Sequence, residues 1–165
     1  MTEGKQENQV VQLREVDLRD LPIFFEFQLD PDANQMAAFT SKDPSNREAF
    51  EAHWQKILAD QSTPIQTILF GGQVAGSVLS YVIEGGREVS YWIGKEFWGR
   101  SIATRALALY LDFITEHPLY ARAAKDNLGS IRVLEKNGFK VIAAEKGFAN
   151  ARGKEIEESI LILDN

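Results

Sequence analysis

Cysteine is missing from this 165-residue chain, and histidine occurs only twice. Disulfide bonds, thiolate metal sites and a cysteine nucleophile are therefore excluded, and nothing indicates an oxidising compartment. We expect a cytoplasmic protein that binds no metal. Neither His53 nor His117 has a partner visible in the sequence, so both are expected to be structural or exposed.

Long hydrophobic runs are missing as well. No stretch approaches the roughly 18 apolar residues of a membrane span, and the polar residues 1–9 lack the apolar segment of a signal peptide. We expect residues 1–9 to form a flexible tail and the protein to have no membrane partner. With 44% hydrophobic and 25% charged residues, residues 1–165 are predicted to form a single globular domain with a sizeable core.

Positive charge is scarce, since the net charge is −6. We expect no nucleic-acid partner, because binding nucleic acid requires a basic surface. Residues 95–140 nevertheless carry eight Lys or Arg against five Asp or Glu, a local charge of +3 that leaves −9 for the rest of the chain. This distribution suits an anionic cofactor at the basic segment and a neutral or cationic acceptor, although uneven surface charge often serves only solubility.

Hydrophobic periodicity predicts the element order βααβββαβαββ. Strands are predicted at residues 10–16, 65–70, 74–83, 88–93, 119–124, 139–144 and 156–163. Helices are predicted at residues 21–29, 45–59, 100–116 and 127–137. Asp17 and Asp20 are candidate caps of the first helix and Ser45 of the second, while segment 30–44, which contains two prolines, is predicted to be a loop. This order implies a mixed sheet with helices on both faces.

The segment Trp98–Ala103 lies between a predicted strand and a long amphipathic helix. The first backbone N–H groups of a helix lack partners within the helix, and the helix dipole places positive charge behind them, so such a position binds anions. Short glycine motifs also occur in ordinary strand-to-helix turns, where Gly99 would only relieve strain. The segment alone leaves both interpretations open.

Three groups of residues stand in a characteristic order and spacing. They are Tyr-Trp-Ile-Gly at 91–94, Phe-Trp-Gly-Arg-Ser-Ile-Ala-Thr at 97–104, and Asn-Leu-Gly-Ser at 127–130 followed by Glu-Lys-Asn-Gly-Phe at 135–139. Together they resemble the GNAT superfamily of acetyl-CoA-dependent N-acetyltransferases, particularly its branch similar to ribosomal-protein N-terminal acetyltransferases. The resemblance implies an α/β (α+β) fold with a mixed, mostly antiparallel central sheet of about seven strands and helices on both faces.

The resemblance also implies that the 98–103 loop holds the pyrophosphate of CoA. The implied CoA-binding residues are Ile93, Trp98, Gly99, Arg100, Ser101, Ile102, Ala103, Thr104 and Asn127. Two positions depart from the family's pattern, because Trp98 replaces a polar residue and Ser101 replaces a glycine. The Cβ of Ser101 would crowd the phosphates, or its hydroxyl would donate a hydrogen bond to a phosphate oxygen.

Acetyl transfer to an amine requires a base for the amine proton and an acid for the departing thiolate. Glu88 stands where some relatives of this fold carry a glutamate base, and burial would raise its pKa towards neutrality; the alternative is an exposed strand-edge carboxylate beside Arg87. Many superfamily members have a tyrosine acid where this chain has Leu134. The resembling branch commonly has a serine at the position of Ser130, which makes Ser130 the candidate acid; the alternative is helix capping together with Asn127.

The resemblance implies transfer of an acetyl group from acetyl-CoA to a primary amine, either a protein or peptide N-terminus or a small amine, by direct attack in a ternary complex. Recognition of the acceptor is expected in the irregular segments 30–44, 84–87 and 146–158. Glu157 and Glu158 would hold an ammonium group there, or are simply an exposed strand end.

A second function remains open, because Leu134 and Ser101 depart from the family's pattern. It is a non-catalytic module that binds or senses acyl-CoA on the same fold. Members of the superfamily often dimerise, so the resemblance also implies a homodimer as one option.

Overall fold

The computed structural model of the chain describes residues 9–164, so of the tail expected at residues 1–9 only the last residue is described. The strands are β1 Val11–Glu15, β2 Ile65–Phe70, β3 Gln73–Ile83, β4 Gly86–Ile93, β5 Leu119–Ala124, β6 Lys140–Ala149 and β7 Lys154–Leu163. Within the described residues they form one seven-stranded sheet in the order β1-β2-β3-β4-β5-β7-β6. All neighbours are antiparallel except β4 and β5, which are parallel. The predicted fold class is confirmed.

Five α-helices are found in the described part of the chain. They are α1 Leu21–Gln28, α2 Pro31–Ala37, α3 Arg47–Ala59, α4 Ile102–Leu111 and α5 Leu128–Lys136. Helix α2 lies within the segment predicted to be a loop. It begins with Pro31 at its first position, and the Asp30 carboxylate accepts a hydrogen bond from the Ala33 N–H at 2.9 Å, both of which favour a helix start. Among residues 9–164, no helix has the length and apolar character needed to cross a membrane.

Several predicted element ends differ from the structure. Helix α4 ends at Leu111 rather than at residue 116, because Phe113 is 68% exposed and does not continue the buried face. Helix α3 is capped by Asn46, whose side chain accepts from the Ala49 N–H at 3.0 Å, whereas Ser45 donates to Asp43 instead. Strands β6 and β7 are longer than predicted, so only residues 150–153 connect them.

The sheet separates two layers of helices. On one face, Ala106, Leu107 and Tyr110 of α4 pack with Val78 of β3 and Val89 of β4 in the largest buried cluster. We call this face the α4 face. A second buried cluster is formed by Phe24 and Phe25 of α1 with Phe50 and Trp54 of α3, and it covers the opposite face, which we call the α1 face. Because side chains alternate along a strand, neighbouring residues of β4 point to different layers.

The parallel pair β4 and β5 is joined over a short length only. Its Cα partners are Arg87 with Leu119 and Glu88 with Tyr120. Both strands continue beyond this point, β4 to Ile93 and β5 to Ala124, but without further pairing to each other. A gap therefore opens in the middle of the sheet towards the carboxyl ends of the two strands, and we call it the β4–β5 gap.

Candidate active site

A pair of hydroxyl groups connects β4 with α5 across the β4–β5 gap. The Tyr91 hydroxyl lies 2.7 Å from the Ser130 Oγ and also donates to the Ser130 carbonyl oxygen at 3.3 Å. Burial raises the pKa of Tyr91 to about 12, so its phenol is protonated at neutral pH. The hydroxyl of Ser130 thus contacts the buried phenol of Tyr91. The sequence did not predict a role for Tyr91, although this residue begins the 91–94 motif.

The amino end of α5 is capped by Asn127, not by Ser130. The Asn127 side chain accepts a hydrogen bond from the Ser130 N–H at 3.2 Å and donates to the Met36 carbonyl of α2 at 3.2 Å. Capping therefore uses the side-chain carbonyl oxygen of Asn127 and the backbone N–H of Ser130. The Ser130 hydroxyl is not needed for the cap and contacts Tyr91 instead. At the other end of α5, Asn137 donates to the Thr104 carbonyl at 3.2 Å, which holds α5 beside the start of α4.

The proposed pyrophosphate loop lies between the end of β4 and the start of α4. Gly99 has φ of 78° and Ser101 has φ of 60° with ψ of 20°, so both are in the left-handed region. Glycine adopts this conformation without strain, whereas serine does not. The Ser101 side chain makes no capping hydrogen bond to α4. The backbone of Ser101 therefore follows the path of a glycine, and its hydroxyl is not used by the helix.

Two contacts fix this loop to its surroundings. The Trp98 indole N–H donates to the Ile93 carbonyl oxygen at 2.9 Å, which ties the loop to the end of β4. Ile102 is 1% exposed and packs in the core, so it offers a ligand only its backbone N–H.

The guanidinium groups of Arg100 and Arg105 lie 5.8 and 5.9 Å from the centre of the Phe70 ring, and both are close to the loop in sequence. The loop therefore combines partnerless N–H groups with nearby positive charge, which fits a pyrophosphate.

Glu88 is a largely buried carboxylate on the α1 face. Its side chain is 12% exposed, and it accepts hydrogen bonds from Arg122 at 3.1 Å and from the Tyr81 hydroxyl. Burial raises the pKa of Glu88, and the opposing effect of the Arg122 guanidinium does not cancel it. Arg87, its neighbour in sequence, is buried and pairs with Glu116 instead. In this environment Glu88 is a hydrogen-bonded interior group rather than an exposed edge carboxylate.

Three carboxylates surround Arg122. Besides Glu88, the guanidinium contacts Glu145 at 3.0 Å and Glu158 at 3.1 Å. If all three are ionised, this cluster carries a net charge of −2 on the α1 face. Glu157 points to the opposite face and pairs with Lys125 at 2.6 Å, so only Glu158 of the two predicted glutamates lies near Glu88.

Glu88 and Ser130 lie on opposite sides of the β4–β5 gap. Glu88 belongs to the α1 face of β4, whereas Tyr91, three residues further, points with Ser130 to the α4 face. The two candidate catalytic groups therefore do not form one hydrogen-bonded pair. They flank the gap from the two faces of the sheet.

The fold and this site agree with the comparison against known families. The model of the acetyltransferase (GNAT) domain matches residues 11–140. The chain therefore belongs to the GNAT family, and it is an acetyl-CoA-dependent N-acetyltransferase. A search of curated proteins finds no match.

Solved structures share the fold at low sequence identity. Mycobacterium smegmatis RimJ in complex with CoA-disulfide is 22% identical with a TM-score of 0.80, over 96% of this chain and 83% of RimJ. RimL, a ribosomal L7/L12 α-N-protein acetyltransferase in complex with CoA, is 16% identical with a TM-score of 0.78, over 93% of both chains. Vibrio cholerae spermidine N-acetyltransferase in complex with CoA and spermine is 18% identical with a TM-score of 0.75, over 92% of this chain and 95% of that one.

Proposed function

We propose that this chain transfers the acetyl group of acetyl-CoA to a primary amine by direct attack in a ternary complex, in which both substrates are bound together. The observation that carries the proposal is the β4–β5 gap, which has the anion-binding loop at one end, the Tyr91–Ser130 hydroxyl pair on one face and the Glu88 carboxylate on the other. Acetyl-CoA supplies an activated thioester carbonyl.

The pyrophosphate would be held by backbone N–H groups of the loop that begins at Trp98. The residues proposed to contribute are Gly99, Arg100, Ser101, Ile102, Ala103 and Thr104. The backbone of Ile93 would pair with the pantetheine arm at the edge of β4 that faces the gap. Asn127 keeps its capping role through its carbonyl oxygen, and its N–H₂ group would reach a pantetheine amide by leaving the Met36 carbonyl.

Glu88 is proposed to take the proton of the attacking ammonium group. Its raised pKa suits this role, because a base with a pKa nearer neutrality accepts a proton more readily at physiological pH. The neutral amine nitrogen then forms a bond to the thioester carbonyl carbon, and it loses a second proton to solvent as the carbon–sulfur bond breaks. Glu88 ends with one proton of the ammonium group. The sulfur leaves with the electron pair of the broken bond and takes the proton of Ser130, which the hydroxyl pair regains from solvent.

Ser130 is proposed to donate a proton to the departing sulfur. A lone serine hydroxyl is a weak acid, but Tyr91 lies 2.7 Å behind it and is itself protonated at neutral pH. The phenol can replace the proton that the serine gives away, or hold the serine hydroxyl in the orientation that serves the sulfur. This arrangement supplies the proton donor that Leu134 cannot provide.

The acceptor is proposed to be a protein or peptide N-terminus or a small amine. Neighbours of the same fold include enzymes described for a ribosomal protein and for spermidine, so both kinds of amine are accepted on this architecture. The acidic cluster around Arg122 on the α1 face supports a cationic ammonium group as the approaching substrate.

Thiol release from acetyl-CoA, measured with a panel of N-terminal peptides and small amines, tests this function. We expect acceptor-dependent release, and we expect Ser130→Ala to lower kcat while CoA affinity is nearly unchanged. If Ser130→Ala abolishes CoA binding, the residue has a structural role. Thermal stabilisation by CoA with no release on any acceptor would favour the acyl-CoA-sensing module instead.

A homodimer is also proposed, with β6 as the contact. This strand lies at the edge of the sheet, and its Val141, Ile142 and Phe148 are 50%, 54% and 61% exposed. Long exposed edges with apolar side chains pair with other chains unless they are covered. Light scattering should give twice the mass of the chain, and Phe148→Lys should shift it towards the monomer; a monomeric wild-type protein would contradict this proposal.

A further inference from the structure

A cavity of about 160 Å³ lies on the α1 face, beside the part of β4 that borders the gap. Its lining is dominated by aromatic side chains, namely Phe24, Phe27, Phe50, Trp54 and Trp92. Its polar lining residues are Gln28, His53, Ser77 and Ser90, and none of the described residues that line it is an Asp, Glu, Lys or Arg. A cavity of this volume could hold about five water molecules, which corresponds to one medium-sized side chain.

The indole N–H of Trp92 is buried and has no hydrogen-bond partner among the described residues. Buried donors in native proteins are almost always paired, so an unpaired one requires an explanation. Trp92 lines this cavity. The N–H has almost no accessible surface of its own, so an oxygen acceptor of a bound molecule would pair with it after a small shift of the indole ring. The aromatic walls select for an apolar group next to that oxygen.

The position of the cavity relates it to the proposed base. Glu88, Ser90 and Trp92 are every second residue of β4, so they lie on the same face of the strand. Ser90 and Trp92 line the cavity. A strand rises about 3.3 Å per residue, so Ser90 lies about 7 Å and Trp92 about 13 Å from Glu88 along β4. An acceptor whose amine lies near Glu88 would therefore extend its next groups into the cavity.

We infer that this cavity binds the first side chain of a peptide acceptor and selects an uncharged, apolar residue there, while Trp92 donates a hydrogen bond to a peptide carbonyl oxygen of the same acceptor. The inference rests on the proposed transfer to a primary amine and names its substrate class. The acidic cluster at Glu88 would attract the ammonium end. The described residues that line the cavity include no carboxylate, so the second cation of a polyamine would form no ion pair there.

The wild-type protein gives the first test, by kcat/KM for short peptides that begin with Leu, Met, Gly, Lys or Asp, together with spermidine and butylamine. We expect peptides that begin with Leu or Met to exceed the Gly, Lys and Asp peptides and spermidine by at least about tenfold, which is the effect of burying one or two methylene groups. Equal rates, or a preference for spermidine, would overturn the inference and leave the proposed function intact. No thiol release with any amine would overturn both.

Substitutions in the cavity give the second test. Trp92→Phe removes the unpaired N–H and keeps an aromatic ring. It should lower kcat/KM for the Leu peptide about tenfold and the rate with butylamine, which has no carbonyl, clearly less, while CoA affinity is unchanged. Trp54→Phe is the matched control, because it also removes an indole from the lining but not the unpaired donor, and its effect on the Leu peptide should be clearly smaller. Equal losses of kcat/KM for the Leu peptide in the two variants would contradict a hydrogen bond from Trp92 to the acceptor.

A third variant places bulk at the mouth of the cavity. Ser90 is exposed and lies on the lining, so Ser90→Leu should leave the fold intact. It should reduce the rate with the Leu peptide to that with the Gly peptide, because the larger side chain fills the space that the acceptor would use. An unchanged preference for Leu would show that the acceptor's side chain binds elsewhere.

Discussion

Ser101 is a residue with a side chain in a backbone conformation that favours glycine. Its φ of 60° is unfavourable for a side chain with a Cβ, yet it stands at the start of α4 in the loop proposed to bind pyrophosphate. Strain of this kind is found where the surrounding structure requires it, often at ligand sites. A hydrogen bond from the Ser101 hydroxyl to a phosphate oxygen would offset this strain.

We predict that Ser101→Gly stabilises the folded protein by about 0.5–1 kcal/mol. Relief of the left-handed strain, about 1–2 kcal/mol, exceeds the entropic cost of a glycine in the unfolded chain. Urea unfolding without ligand measures this change, and a loss of stability would contradict it.

Ser101→Ala serves as the control for the hydroxyl group, because it keeps the strain. A weaker affinity for CoA in Ser101→Ala would show that the hydroxyl donates to a phosphate oxygen. A tighter affinity in Ser101→Gly would show that the Cβ crowds the ligand.

Glu88 should impose a pH dependence on catalysis. Its pKa is raised above the ordinary value of 4.5, so the carboxylate becomes available as a base only as pH rises through that higher value. We predict that kcat/KM falls on the acidic side with an apparent pKa above 4.5, and that Glu88→Gln lowers kcat/KM about 100-fold and removes this acidic limb. A Glu88→Gln variant with the same acidic limb would show that another group is titrated.

At the residue scale, the sequence supplied most of the candidate site but not its partners. Ser130 and Glu88 are named by motif and position, whereas Tyr91 and Arg122 contact them from distant parts of the chain. Such contacts depend on how strands and helices are brought together. Local residue patterns do not contain that information.

At the scale of elements, Asp20 joins β1, β2 and the start of α1. It was expected to cap a helix, but its carboxylate accepts hydrogen bonds from Arg14 at 2.7 and 2.9 Å, from the Asp17 N–H at 2.9 Å and from Thr67 at 2.8 Å. Burial alone raises the pKa of Asp20, but these hydrogen bonds together outweigh it and leave the pKa below its usual range.

We predict that Asp20→Asn destabilises the fold by about 2 kcal/mol at pH 7. This is less than the roughly 3–5 kcal/mol for a fully buried pair, because the Arg14 side chain is 38% exposed. A lowered pKa contributes stability above the unfolded-state pKa, and that contribution is lost as pH falls through the folded-state pKa.

Urea unfolding at pH 7 and at about pH 3 measures this difference, with Asp112→Asn at an exposed position as the control. The difference in the free energy of unfolding between wild type and Asp20→Asn should be smaller at the lower pH. An equal difference at both pH values would contradict the assignment of the effect to the ionised carboxylate.

The predicted elements show which physical signals are readable from sequence. The apolar run at 119–124 and the alternation at 65–70 gave the bounds of β5 and β2, because both strands lie inside the sheet and are largely buried. Helix α2 was missed because seven residues are too few for a clear helical period. Helix α4 was predicted too long because Phe113 fits the apolar period and yet lies outside the core.

At the scale of the whole molecule, the β4–β5 gap divides the sheet into β1–β4 and β5–β7–β6. The sequence predicted the strands and their order along the chain, but the loss of pairing after Glu88 depends on register between distant strands. Neither the periodicity nor the family resemblance predicted this gap.

A ligand held between the two halves of the sheet should stabilise the entire fold. We predict that CoA at about 100 times its dissociation constant adds about 2.7 kcal/mol, which raises Tm by roughly 5–10 °C for a chain of this length. Differential scanning fluorimetry measures the shift. Adenosine at the same concentration is the control, since it lacks the pyrophosphate and the pantetheine arm; equal shifts would contradict binding through the loop.

The central claim, acetyl transfer to a primary amine at the β4–β5 gap, is tested most directly by one assay. Acetyl-CoA is mixed with a peptide that begins with Leu, and both thiol release and the mass of the peptide are followed for the wild type and for Ser130→Ala. The account predicts thiol release that depends on the peptide, an equal amount of N-terminally acetylated peptide, and a slower rate in the variant. Thermal stabilisation by CoA together with no acetylated product, on this peptide or on any other amine, would contradict it.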